Sequence, residues 1–426
     1  MEKKIERALL VGLDITTINK RTDNIDIDSS MDELEELAKA AGAEVVGRVV
    51  QSKDARDVAY YVGKGKAQEI KEHCEALEAD LVIFNDELSG AQMKNLEDLI
   101  GVSIVDRTAL ILDIFAQRAL SKEGKLQVEL AQLKYRLPRL YGLGKALSRT
   151  GAGIGTRGPG EQKLEIDKRH ILNKIADIKR ELKEVKKNRE VQRMQRLKSD
   201  IPIVALVGYT NAGKSTLTNE LIKTHKEYNK EKEVFSKDML FATLDVTLRK
   251  ATLDNNREFL VVDTVGFVSK LPHDLVEAFK ATLEEVKYAD LILHVVDASN
   301  KNYDIQMDTT LNVLRELKAL DKEIITVFNK ADKLDYEVNA RKDEDVVFIS
   351  CKTGYNLDVL LDKIKEKIMG NLYDVEMIIP YSRGDIFNTL KEKTIIDNFE
   401  YKEEGIYIKT TLDEADYGRY SEYIIK

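Results

Sequence analysis

Cysteine is scarce in this 426-residue chain: Cys74 and Cys351 are the only two, far apart, with no CxxC or His-x-x-x-His spacing beside them. Neither a disulfide framework nor a zinc site is expected from such a pattern, and a reducing compartment, the cytoplasm, fits it. Long apolar runs are lacking too. The run Ala8–Leu13 is interrupted by Asp14 and carries no cleavage-site pattern. Nowhere is there the roughly 18-residue apolar stretch that a membrane span needs, so neither secretion nor a membrane span is expected. Nor is there an excess of positive charge: the formal net charge of -8 argues against indiscriminate polyanion binding, although a locally basic segment can still present a positive face.

What is present is the composition of a soluble, folded chain, 43% hydrophobic and 33% charged, too long for one ordinary core. Residues 1–118 alternate short apolar runs with amphipathic stretches, which predicts a small parallel α/β domain with helices on both faces. Its strand candidates are Ala8–Leu13, Glu44–Val50, Ala79–Asn85 and Val102–Asp106. Its helix candidates lie at Met31–Ala41, Lys66–Leu77, Gly90–Ile100 and Thr108–Ala116.

Residues 119–199 change character. Leu126, Leu130, Leu133, Leu137 and Leu140 recur at helical spacing, as do Ile171, Ile175, Ile178, Leu182 and Val185, which together predict an antiparallel helical hairpin. Pro138 marks a kink or an approaching end. Between the stripes, residues 142–160 are glycine-rich and carry Lys145, Arg149 and Arg157. Such a segment is either a flexible linker or a contact for RNA or phosphate.

The decisive chemistry begins at the apolar run Ile203–Val207, followed by Gly208-Tyr209-Thr210-Asn211-Ala212-Gly213-Lys214-Ser215-Thr216 and a helical pattern. This is a phosphate-binding loop in its required strand-to-helix setting. Gly208 and Gly213 let the backbone curl so that N–H groups face phosphate oxygens, Lys214 neutralises the β- and γ-phosphates, and the Ser215 hydroxyl ligates Mg²⁺. Further motifs follow in the order a guanine-nucleotide domain demands, within residues 200–370. Phe241-Ala242-Thr243-Leu244-Asp245 is the switch I candidate, with Thr243 offering a hydroxyl to Mg²⁺ and an amide to the γ-phosphate. Asp263-Thr264-Val265-Gly266 is switch II, where Asp263 reaches Mg²⁺ through water and the Gly266 amide binds the γ-phosphate. Lys214, Thr243 and Gly266 are the expected catalytic set.

Base identity is assigned to Asn329-Lys330-Ala331-Asp332, because the Asp332 carboxylate accepts from both N1–H and the exocyclic amine of guanine. Adenine has no such donor pair. Ser350-Cys351-Lys352 completes the pocket, with the backbone around Cys351 donating to guanine O6. GTP and GDP are therefore the expected ligands. Phe267 follows Gly266 where Ras-like GTPases carry the glutamine that orients water, so a glutamine base is absent. Asn211 matches the asparagine by which some GTPases hold K⁺ against the phosphates, an expectation for K⁺ activation. A small α/β unit is expected over 371–426.

At this point the chain resembles the HflX GTPases of the Obg-HflX branch over nearly all of its first 370 residues. The resemblance rests on Val62-Gly-Lys-Gly-Lys66, Phe84-Asn-Asp-Glu87, Asp106-Arg-Thr108, Ile114-Phe-Ala-Gln-Arg118, Leu126–Leu133 and Gly151–Glu161. It implies a ribosome-associated GTPase whose N-terminal domain and hairpin dock on the 50S subunit, with the glycine-rich loop reaching 23S rRNA near the peptidyl-transferase centre. It also implies separation of 70S particles during stress. Two departures are Val246, where the family usually has proline, and Cys351, where it usually has alanine. A monomer is expected, and a switch that recruits a protein effector is the alternative to ribosome action.

Overall fold

A computed structural model of the chain describes residues 5–16, 26–147, 159–196, 201–224, 240–241, 247–254, 257–270, 283–334, 345–369, 372–394 and 396–425. The first strands, β1 (Arg7–Ile15), β2 (Glu44–Lys53), β3 (Leu81–Phe84) and β4 (Ser103–Asp106), form a parallel sheet in the order β2-β1-β3-β4. Successive side chains of a strand point to opposite faces, so both faces of a sheet this apolar must be covered. Ala8 and Leu10 meet helices α1 (Ile27–Ala41) and α4 (Arg107–Arg118) through Leu34, Leu37, Ile111 and Phe115. Leu9 and Val11 face α2 (Lys64–Leu77) and α3 (Gly90–Ile100) through Ile70, Cys74, Leu96 and Ile100. The layers match those expected from the sequence, with boundaries shifted by a few residues. Local chemistry sets several ends: Asp26 caps α1, Ser89 and Gln92 form a reciprocal capping box on α3, and Asp106 caps α4.

Two long helices follow, α5 (Lys122–Leu147) and α6 (Pro159–Arg196). Leu126, Leu130, Leu133 and Leu137 pack against Ile171, Ile175, Ile178 and Leu182, joining the two stripes read from the sequence. The ion pairs Arg189–Glu123 and Lys174–Glu129 make the helices antiparallel, since the later residue of one helix meets the earlier of the other. Two expectations shift. Pro138 does not end its helix, which continues to Leu147; the stripe packed up to Leu137 holds the preceding turns in place despite one missing hydrogen bond. The glycine-rich segment is also shorter than 142–160, because α5 runs into its start and α6 begins at Pro159, where proline suits the first turn of a helix. Residues 148–158, with Arg149 and Arg157, lie outside the described residues, while Lys145 falls within α5.

Among the described residues, the next sheet has six strands in the order β10-β9-β8-β5-β7-β6. They are β5 (Ile203–Gly208), β6 (Thr247–Thr252), β7 (Glu258–Asp263), β8 (Leu291–Asp297), β9 (Glu323–Asn329) and β10 (Val346–Phe348). All neighbours are parallel except β6 and β7. Helices α7 (Lys214–Ile222) and α9 (Leu357–Met369) cover one face, and α8 (Tyr303–Glu316) packs on the other. In such a sheet the crevice at the carboxyl ends of the strands is the place for a ligand. The chain ends in an antiparallel sheet ordered β11-β13-β12, built from β11 (Leu372–Ile379), β12 (Ile396–Lys402) and β13 (Gly405–Asp413). Helix α10 (Gly384–Lys393) lies on it. Neither β6 nor β12 was expected from the sequence.

Candidate functional site

Every residue of β5 is buried, and the strand drives the phosphate-binding loop up to the sheet's carboxyl edge. Three residues of the loop have positive φ: Gly208 (151°), Asn211 (60°) and Gly213 (96°). At the two glycines the restriction is also steric. A Cβ on Gly208 would stand 2.1 Å from the Val295 carbonyl oxygen, and one on Gly213 would stand 2.1 Å from Asn329 Nδ2. The loop is thus seated against β8 and against the base-recognition strand at once.

Asn329 locks these parts together. Its Nδ2 donates to the Ala212 carbonyl at 2.9 Å, and its Oδ1 accepts from the Cys351 amide at 3.1 Å. Beyond β9, Lys330 turns left-handed (φ 64°) and pairs with Asp297 at 2.8 Å, and the Ala331 amide bonds to Ile349. The Ser350 hydroxyl donates to Asp332 at 2.7 Å and accepts from the Thr353 amide, so it orients the carboxylate. Cys351 is buried, and burial pushes its thiol up to about 12, the behaviour of a packed cysteine. Lys352 is exposed.

On the phosphate side, Lys214 is buried and donates to the carbonyls of Gly208 (3.1 Å) and Tyr209 (2.7 Å). The Ser215 hydroxyl donates to Asp263 Oδ2 at 2.8 Å, at the buried end of β7. One hydroxyl and one carboxylate side by side are the hard oxygen donors that Mg²⁺ takes together with substrate phosphates, so these residues fit that ion. The buried Thr264 hydroxyl bonds to the Leu206 carbonyl, and Val265 is buried beside it. Gly266 rests on the loop: a Cβ there would meet Thr210 Cα at 2.8 Å and Lys214 Nζ at 2.9 Å. The Thr210 amide donates to Phe267 and the Phe267 amide to Gly208, which joins switch II to the loop backbone. Thr216 lies in the first turn of α7. Phe241 packs edge-on against Phe115, whereas Ala242, Thr243, Leu244 and Asp245 lie outside the described residues.

Burial pushes the Lys214 ammonium down to about 8, and the nearby Asp263 charge opposes this only in part. The free protein therefore gives up this proton above pH 8, and a phosphate that needs the charge must recover it. We predict GDP affinity about tenfold weaker at pH 9 than at pH 7, read by calorimetric titration. A flat profile would remove Lys214 as the group that sets phosphate affinity. By the same linkage the free protein gains stability as pH rises from about 8 toward the ordinary lysine value of 10.5, where the unfolded chain holds the proton and the folded one does not.

Sequence reasoning missed four participants. His294 on β8 is buried, and burial together with the Lys214 charge holds it neutral, at about 4. The other three are Glu33, Arg107 and Ser269. Ser269, just past switch II, donates its hydroxyl to Glu33 of α1 and accepts from Arg107 Nη2 at 2.9 Å. Arg107 pairs with Glu33 and reaches Asn85 at 2.9 Å. The Tyr209 hydroxyl donates to the same Glu33 carboxylate and accepts from the Ser269 amide. One residue on, Lys270 pairs with Asp86 at 3.0 Å. An aromatic second residue in the phosphate loop, and the Asp106-Arg-Thr108 motif, were the available signals.

A buried phosphate loop, an Asp-x-x-Gly resting on it and an Asn-Lys-x-Asp strand end tied to the loop define a P-loop GTPase. Residues 203–330 match the family described as 50S ribosome-binding GTPase, and 28–116, 118–196 and 335–418 match the GTP-binding GTPase N-terminal, GTP-binding GTPase middle-region and HflX C-terminal families. GTPase HflX of Caldanaerobacter subterraneus subsp. tengcongensis is 51% identical over 407 residues, covering 96% of this chain and 91% of that one. GTPase HflX of Escherichia coli K12 is 41% identical over 420 residues, covering 97% and 95%. A GTP-binding protein from the archaeon Sulfolobus solfataricus, solved in complex with GDP, aligns at TM-score 0.45 and 25% identity over 85% of this chain and 99% of that one. The chain belongs to the GTPase HflX family and is a GTP hydrolase.

Proposed function

We propose that this GTPase binds the 50S subunit in the cytoplasm, acts there as a monomer, and uses GTP to split or rescue 70S ribosomes under stress. The observation that carries the reading is the dipeptide Asp106-Arg107. Arg107 holds the exit of switch II through Ser269. Asp106, with no exposed surface, accepts from Tyr135 (2.8 Å) and Arg139 (3.1 Å) of α5. Adjacent residues of one turn thus connect the γ-phosphate sensor to the middle of α5, the hairpin's first helix, whose far end carries Lys145 and leads into the connecting segment with Arg149 and Arg157. Such a chain of packed contacts is what a nucleotide-dependent movement requires. Contact with 23S rRNA is assigned to that segment rather than to the body of α6. There Lys174, Arg180, Lys186, Lys187 and Arg189 are already paired with carboxylates.

In this reading residues 1–118 and 119–199 form the ribosome-facing part, 200–370 the nucleotide engine, and 371–426 an appended unit. Gly208–Thr216 cradle the phosphates, and Phe241–Asp245 are assigned to switch I. Asp332, Asn329, Lys330, Ala331 and Ser350–Lys352 hold the base. Ser215, Thr243 and, through water, Asp263 would hold Mg²⁺, which when bound neutralises charge on the β- and γ-phosphates. Lys214, Thr243 and Gly266 stabilise the charge that develops in the transition state. Asn211, poised by its left-handed backbone, is assigned to K⁺. Hydrolysis is then faster in K⁺ than in Na⁺ at equal ionic strength, and equal rates would remove Asn211 from that role.

Sedimentation with 50S and 70S particles tests the main reading. Co-sedimentation with 50S that depends on a non-hydrolysable GTP analogue, with loss of 70S, is the expected result. Absence of binding to either particle in every nucleotide state would overturn it in favour of a protein-effector switch.

A further inference from the structure

Among the described residues the C-terminal sheet has one covered edge and one open edge. On the β11 side, Ile424 bridges Met377 and the Ile425 amide donates to Glu376. On the other side β12 is outermost, with no strand beyond it among the described residues. Its cross-strand register pairs Phe399 with Ile408 and Tyr401 with Ile406, both core residues, so Phe399 and Tyr401 project to the apolar face. Helix α10 does not reach far enough to cover them: Phe399 is 46% and Tyr401 68% exposed. Tyr381, 55% exposed, stacks on Tyr401, and Phe387 of α10 lies against Phe399. An unpaired strand edge beside a row of exposed rings is a template that proteins cover, charge or use.

Charge selects the occupant. Exposed carboxylates at Glu400, Glu403 and Glu404 follow the rings, and Lys402 is drawn over the Tyr407 ring at 3.8 Å. Aromatic rings can stack nucleobases, but three carboxylates beside them repel a phosphate backbone. We propose that β12 is a docking edge for a lysine- or arginine-rich protein segment, which adds to the sheet as a strand. Its apolar side chains settle among Tyr381, Phe399 and Tyr401, and its cations pair with Glu400, Glu403 and Glu404. The inference is independent of the ribosome reading.

Hydrogen exchange on the full chain tests it, with an eleven-residue alternating lysine–valine peptide as probe, a glutamate–valine peptide as control and oligouridylate as competitor. The expected result is exchange slowed about tenfold over 398–402 by the basic peptide alone. That protection disappears in the combined variant Glu400→Lys, Glu403→Lys, Glu404→Lys and weakens in Tyr401→Ser, with GTP hydrolysis unchanged in both. Equal protection by the acidic peptide, protection by oligouridylate instead, or no protection at millimolar basic peptide would each overturn the proposal.

Discussion

Asp332→Asn lowers GTP affinity by a factor of ~10²–10⁴ and raises affinity for xanthosine triphosphate. In the proposed reading the carboxylate accepts two charge-assisted hydrogen bonds from guanine, each contributing about 1.5–3 kcal/mol. Asparagine keeps one acceptor and turns an amide donor toward the exocyclic amine, so one bond is lost and two donors collide. Xanthine carries a carbonyl where guanine has that amine, and the asparagine donor suits it. The Ser350 hydroxyl, 2.7 Å from Asp332, can still bond the asparagine oxygen, so the exchange leaves the loop in place. Nucleotide titration of the variant with both triphosphates is the measurement. Unchanged preference for GTP would show that base identity is read elsewhere.

Arg107→Ala destabilises the N-terminal domain and its contact with the nucleotide domain, together, by about 3–5 kcal/mol, because it leaves the partly buried Glu33 without its cation and Ser269 without its donor. Arg107 is 1% exposed and serves Glu33, Asn85 and Ser269 together, and lysine cannot reproduce that fork. Arg107→Lys therefore recovers little. Removing both charges, in Arg107→Ala with Glu33→Ala, recovers part of the loss, since no partly buried charge is then left without its partner. Denaturant unfolding followed separately at the two domains measures the cycle. A loss below about 1 kcal/mol for Arg107→Ala would mean that solvent replaces the arginine and that the contact is held by the apolar residues around it.

Those apolar residues show how much of the molecule was readable in advance. The short apolar run Ala8–Leu13 and the four-three spacing from Leu126 to Leu137 are local patterns, and both appear as the strand and helix they predict. The phosphate loop was legible for the same reason: its glycines, lysine and serine act within one turn of chain, and the backbone angles at Gly208 and Gly213 follow from residue type. Edge strands were less legible. Thr247–Thr252 and Ile396–Lys402 carry polar side chains among their apolar ones because one side meets solvent, so neither has the continuous apolar run of a central strand.

By itself, then, the sequence determined the nucleotide motifs, the parallel sheets that present them and the two stripes of the hairpin. Each depends on spacing within a single element. Only the tertiary structure decided that Glu33 meets Arg107 74 residues away and Ser269 236 residues away. It likewise decided that Asp106 and Arg107 face the hairpin and switch II from opposite sides of one turn. Nothing in local periodicity encodes such contacts. They follow from how α1 and α4, packed on the N-terminal sheet, meet the nucleotide domain, and the polar residues caught at that contact must then find one another or remain unsatisfied.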